Sequence, residues 1–206
     1  MNLLISSIFV AALLIVMVIG FERARPRPRD LMPVIVLAAL AVLGRVVTMP
    51  IPNFQPATAL IVLAGLFFGR YAGLLCGMLV ALVSNMFMGQ GPWTLWQMLA
   101  WGLVGFFAGI LGDLIREPRI FNWWFQVVII AYGTIASLLF GAFQDLQFFI
   151  AFAWETGWSG LIAALSMGLP MNLMHAASTF IFLLLVVIPW GRKLYRLRIK
   201  YGICSM

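Results

Sequence analysis

Residues 57–88 read ATALIVLAGLFFGRYAGLLCGMLVALVSNMFM, and the number of times this stretch crosses a membrane sets the topology of the whole chain. Its 32 residues fit either one long tilted span or two short helices divided at Gly69, Arg70 and Tyr71. Charge decides between them. One span would put Arg116 and Arg119 on the side opposite the remaining basic groups, whereas two spans bring them to the same side. Two helices of about 14 and 17 residues rise roughly 21 and 26 Å, short of the roughly 30 Å hydrocarbon core. Helices that short leave room for an outward-facing recess or a locally thinned bilayer.

With two helices in this stretch, the basic residues fall into four hydrophilic breaks on one face. These are Arg23, Arg25, Arg27 and Arg29; Arg70; Arg116 and Arg119; and Arg192, Lys193, Arg196, Arg198 and Lys200, with Arg45 alone outside the pattern. The positive-inside rule makes that face cytoplasmic. The chain has 206 residues, 64% hydrophobic and 9% charged, and a mean hydropathy of +1.08, too little polar surface to cover a soluble globule. The fold class is therefore an all-α integral membrane protein solvated by the lipid bilayer. The net charge of +7 does not indicate a nucleic-acid partner, because the cations flank membrane segments and do not interleave with stacking aromatics. Cys76 lies in an apolar run and Cys204 in the basic tail, so neither a disulfide framework nor metal-ligand spacing is present.

Further from the decisive stretch, Asn2 to Gly20 is a continuous apolar segment with no basic residue before it and FERARPRPRD after it. That charge order is the reverse of a cleaved secretory signal, so residues 1–22 read as a retained helix with an extracellular N-terminus. Leu31 to Met49 crosses outward, and PIPNFQP at 50–56 carries three prolines that end the helix in an external loop. After the turn GQGP, Trp93 to Gly112 returns inward and Phe121 to about Phe143 crosses outward. Gln144 to about Gly160 reads as a second external segment. Leu161 to Trp190 is the last span, too long for a bilayer unless its start projects outward or Pro170 kinks it. The main domain is then 30–198, with 199–206 a cytoplasmic tail.

Three GxxxG spacings occur, at Gly65 and Gly69, Gly73 and Gly77, and Gly105 and Gly109. Small residues four apart let helix backbones approach closely, either within this bundle or against another membrane protein.

Polar side chains at membrane depth are costly and mark functional positions. Here they are Arg45, Asn85, Gln97, Asn172 and His175, with Asn53, Gln55, Gln90, Asp145 and Glu155 in adjoining external segments. Most fall in the outer halves of their helices, where they can converge on one extracellular pocket. Asn172 and His175 share a helical face just after Pro170, where each can satisfy the other or a backbone carbonyl. Arg45, within a turn of its helix end, fits a snorkelling arginine as well as a ligand contact. The string GQGPWTLWQMLAW at 89–101 holds Trp93, Trp96, Gln97 and Trp101. It fits either an interfacial aromatic belt or a flat surface for a large planar ligand.

Absences narrow the chemistry. The chain has no GxxxxGK[ST] loop, no HExxH, no paired intramembrane carboxylates and no Asp or Glu in an apolar span. No catalytic residue, cofactor site or metal site is expected, and ion-coupled transport is disfavoured.

The strings IPNFQPATALIVLAGLFFG (51–69), ALVSNMFMGQGPWTLWQMLAWGLVGFFAG (81–109) and GLPMNLMHA (168–176) carry a resemblance. Over Asp30 to about Arg198 the chain resembles the substrate-binding S components of energy-coupling factor (ECF) vitamin transporters, and these strings are similar to the cobalamin-carrying branch. The resemblance implies a six-helix core, here with one extra N-terminal helix, in a prokaryotic cytoplasmic membrane. It implies an external pocket closed by loops at 50–56, 88–92 and 144–160. It also implies partner subunits, a membrane scaffold and two cytoplasmic ATPases, so the chain itself would be no enzyme. The expected ligand is cobalamin or a related corrinoid, met by Arg45, Asn53, Gln55, Asn85, Gln90, Trp93, Trp96, Gln97, Trp101, Asp145, Asn172 and His175. His175 as neutral imidazole is a candidate ligand to the cobalt. Another vitamin, a solitary carrier and an intramembrane enzyme are the alternatives. Many S components dock their scaffold through AxxxA in the first core helix; here VIVLAALAVLGR offers Ala38, Ala39 and Ala41 instead.

Overall fold

The computed structural model describes residues 2–23, 27–115 and 122–203. Arg25, Arg116, Arg119 and the tail residues 204–206 with Cys204 lie outside the described residues. The described chain folds into α1 (Asn2–Arg23), α2 (Pro28–Val47), α3 (Ala57–Phe68), α4 (Arg70–Met88), α5 (Trp93–Ile115), α6 (Trp123–Phe148) and α7 (Gly157–Lys200). It is an all-helical, multi-pass membrane protein. α1, α2, α4 and α5 are each long and apolar enough to span a bilayer, and so is the run from Trp123 to Val187.

The stretch 57–88 is two helices. Gly69 breaks it with φ of 97°, a conformation that a Cβ disfavours, and α4 starts on the next residue. At 12 residues α3 is shorter than expected and rises only about 18 Å, yet each of its residues is buried. A helix that is apolar all round belongs in the centre of a bundle. It packs on α2, α4, α5 and α7, and forms the hub of the main apolar cluster.

Backbone proximity holds this hub together. A Cβ on Gly73 would strike the carbonyl of Gly105, one on Gly105 that of Gly73, and one on Gly77 that of Trp101. Gly65 and Gly109 are equally closed, against Gly105 and the backbone of Arg70. The GxxxG pairs are thus spent on α3, α4 and α5, gaining dispersion contact where lipid offers no hydrophobic drive.

Two boundaries differ from the sequence reading. Residues 144–156 are not an open loop: α6 runs to Phe148, a π turn spans Phe149–Ala153, a 3-10 turn spans Trp154–Thr156, and Gly157 reverses the chain at φ of 61°. No proline or glycine interrupts 144–156, and the buried Gln147 and Phe149 hold the segment to the bundle. α7 is continuous over 44 residues through Pro170 and Pro189, about 66 Å long, and so extends beyond a roughly 30 Å core.

α1 is attached thinly. Val10 and Leu14 are its buried apolar residues, packed with Leu74, Met78, Trp96 and Leu99, while Leu4, Ile8, Phe9, Ile15 and Val16 face outward. The described basic residues other than Arg45 gather at one end of the bundle: Gly20 lies beside Tyr71, Arg70 pairs with Asp113 at 3.3 Å, and Arg29 shares a groove with Trp190 and Tyr201. The segments 48–56, 89–92 and 149–156 form the other, loop end.

Candidate functional site

The loop end holds a buried hydrogen-bonded chain centred on Arg45. Its Nε donates to Gln55 Oε1 at 3.0 Å, and its Nη1 donates to Asn85 Oδ1 at 2.9 Å and to Ser84 Oγ. Its guanidinium carbon lies 4.8 Å from the Trp101 ring centroid, a cation–π contact of about 0.5–2 kcal/mol. Arg45 is only 8% exposed, so it does not snorkel to the surface. Asn85 Nδ2 donates onward to Thr94 Oγ1 at 3.0 Å and to Gln97 Oε1 at 2.8 Å. Thr94 Oγ1 donates to Gln90 Oε1 at 2.8 Å, and Gln90 Nε2 donates to the Leu82 carbonyl at 2.9 Å. The loop at 50–56 and the turn at 89–92 are therefore connected through α2, α4 and α5 by one polar path.

A second set lies beneath it. Thr58 Oγ1, at the start of α3, accepts from Trp101 Nε1 at 3.0 Å and sits 2.8 Å from His175 Nε2. His175 also meets the rings of Trp101 and Phe140 edge-on, while those two stack at 4.5 Å. Asn172 does not pair with His175, which was one of the arrangements their shared face allowed. Its Nδ2 donates to Asp145 Oδ2 at 2.7 Å, and Gly141 and Gly168 leave the room that the Asn172 amide and the Asp145 carboxylate occupy.

The proline loop is clamped on α7. Ser178 Oγ receives the Gln55 N–H at 2.7 Å and donates to the Gln55 carbonyl at 2.9 Å. Asn53, at φ of 56°, donates from Nδ2 to the Met171 carbonyl at 3.2 Å.

The three tryptophans do not share a surface. Trp101 points into the core against Phe140, and Trp96 points toward α1 and Phe143 with its Nε1 buried and unpartnered; Trp93 alone is exposed, at 42%. Residues five apart on a helix diverge by about 140°, which the string does not reveal when it is read as a cluster. On α2, Ala38 and Ala41 are buried inside the bundle and Ala39 faces out, so Ala39 is the one a partner reaches without rearrangement.

Arg45, Gln55, Asn85, Gln90 and Gln97 are thus brought together, Trp101 and His175 sit just below, and Asp145 with Asn172 form a separate pair. Ser84, Thr58, Thr94 and Ser178 were not singled out from sequence. The signal available for them was position: Ser84 adjoins Asn85, and Thr58 follows the proline loop directly. Arg45, Gln55 and Asn85 are buried, whereas Gln90 is exposed and Gln97 half-buried. The described cavities lie elsewhere: about 580 Å³ between α2 and the end of α7, about 270 Å³ between α5 and α6, and about 340 Å³ at the α6–α7 turn. Among the described residues, no group of three histidine, cysteine, aspartate or glutamate side chains is placed to hold a metal.

A family model described as "ECF-type riboflavin transporter, S component" matches residues 31–188, most of the chain and all of the polar cluster. No curated protein and no solved structure shows a significant match.

Proposed function

This chain belongs to the family of S components of ECF-type riboflavin transporters, and from that premise we propose that it captures a vitamin at its loop end for import powered by other subunits. A membrane scaffold and two cytoplasmic ATPases are the proposed partners, with the basic end cytoplasmic by the positive-inside rule and the N-terminus extracellular. The reading rests above all on the amide-rich chain from Gln55 through Arg45 and Asn85 to Gln97 and Gln90, concentrated under two loops at the end away from the basic residues.

For the ligand we take cobalamin or a related corrinoid. Side-chain amides both donate and accept, so Asn53, Gln55, Gln90 and Gln97 suit a ring fringed with amides. The three strings similar to cobalamin-carrying S components support the same reading. The divided tryptophans do not; Trp93 is the aromatic surface left to meet a ring at the loop end. A second reading, riboflavin, is favoured by the description of the matching family model. Its ring also offers alternating donors and acceptors to the same amides. The proposed function needs no cofactor and no catalytic group, and Arg45, Asn53, Gln55, Asn85, Gln90, Trp93 and Gln97 are the proposed contacts.

Purification in mild detergent, mass spectrometry of retained small molecules and subunits, and titration with cobalamin and riboflavin test the proposal. A retained corrinoid with copurifying ATPases is the expected result. Riboflavin in its place would replace the ligand but keep the role. A chain that copurifies with no other subunit and binds no vitamin would end it.

A further inference from the structure

Arg45 places a positive charge in the apolar interior with no acidic partner among the described residues. Its three hydrogen-bond acceptors are neutral, and Trp101 beneath it offers only the quadrupole of a ring. Carboxylates that stand near other groups are committed elsewhere: Asp30 to Arg27, Asp113 to Arg70, and Asp145 to Asn172. A buried ion without a counter-charge is among the most costly groups in a membrane protein, and such residues are kept where a ligand or a pathway uses them. The side chain is also incompletely satisfied. Nε and Nη1 carry all of its hydrogen bonds, while Nη2 has none among the described residues. Nη2 is not one of the sealed, partnerless polar atoms either, so it keeps some accessibility in a side chain that is 8% exposed as a whole. Gln55, which holds Nε, belongs to the proline loop, so displacement of that loop widens the approach to the same fork.

We infer that Arg45 is an anion seat: the ligand taken at the loop end carries an acidic oxygen, of a phosphate ester or a carboxylate, that pairs with Nη2. Arginine suits this task because its charge persists and its planar fork donates several N–H groups in fixed directions. The inference rests on the S-component reading and narrows its substrate class. Cobalamin bears a phosphodiester between the side arm of its ring and the ribose of its nucleoside, and riboflavin bears no anionic group.

Two ligand pairs differing in a phosphate separate the cases: cobinamide phosphate against cobinamide, and riboflavin 5′-phosphate against riboflavin. Affinities are measured on the full chain in nanodiscs. In whichever pair binds, the phosphate-bearing member binds at least about tenfold more tightly, as expected for a charge-assisted hydrogen bond. Arg45→Gln abolishes that preference and Arg45→Lys retains part of it. Equal or tighter binding of the phosphate-free member by the unaltered protein overturns the inference, whether or not the variants fold. So does a preference that survives Arg45→Gln. If none of the four binds, the copurified molecule decides: an acidic compound supports the anion seat, and a neutral one overturns it while leaving the S-component role intact. No binding and no retained molecule removes both.

Discussion

Thr58→Val is the substitution that most directly tests the interior of this protein. Valine matches threonine in shape, so the change deletes a hydroxyl and little else. That hydroxyl serves two buried groups, accepting from Trp101 Nε1 at 3.0 Å and lying 2.8 Å from His175 Nε2. Thr58 is fully buried and His175 is 1% exposed, so water does not replace the lost partner. Each orphaned group costs about 1–2 kcal/mol, giving a loss of about 2–4 kcal/mol. Thr58→Ser is the control: it keeps the hydroxyl and removes one buried methyl, for about 1 kcal/mol. At about 2–4 °C per kcal/mol for a chain of this length, valine lowers Tm by roughly 4–16 °C and serine by roughly 2–4 °C. Cys76 is fully buried and free, so a thiol-reactive fluorescent dye reports unfolding in detergent once Cys204 is replaced by serine. Equal Tm values for the two variants, or a valine variant more stable than the serine one, would refute the reasoning. The Thr58 hydroxyl would then contribute nothing beyond its volume.

Gly73→Ala should lower Tm by several degrees because its Cβ meets the Gly105 carbonyl, whereas Gly102→Ala, whose tight neighbours are the flexible Leu74 and Met78 side chains at 3.0 and 3.3 Å with the Leu74 carbonyl at an ordinary 3.6 Å, should change it by less than about half as much. Comparable losses would show that the α4–α5 backbones are not held at contact. Trp93→Ala should weaken vitamin binding without lowering Tm appreciably, since Trp93 is 42% exposed, whereas Gln97→Ala should weaken binding and also lower Tm by a few degrees because it takes an acceptor from the buried Asn85 amide; unaltered affinity in both would confine these residues to the headgroup belt. Ala39→Trp should leave the isolated chain folded and reduce copurification of a scaffold subunit, while Ala38→Trp should destabilise the bundle itself. Normal copurification with Ala39→Trp would move the docking face off α2.

The chain's all-helical membrane class and the division of 57–88 into two helices were legible without coordinates. Apolar runs near bilayer length, basic residues in four breaks, and a glycine and arginine dividing 57–88 are one-dimensional signals, because lipid acts on each segment separately and backbone hydrogen bonds are satisfied within each helix. The list of polar residues at depth was legible for the same reason, since a bilayer makes each of them conspicuous. Their partners were not. Arg45 suited the interface as well as the interior until α4 placed Ser84 and Asn85 against it, and Asn172 found Asp145, 27 residues away, in preference to His175. The tryptophans formed a cluster in the string and three directions in space. Those outcomes depend on which helix faces come together, and that is set by glycine contacts between α3, α4 and α5 and by the reversal at Gly157, interactions between residues that are distant along the chain.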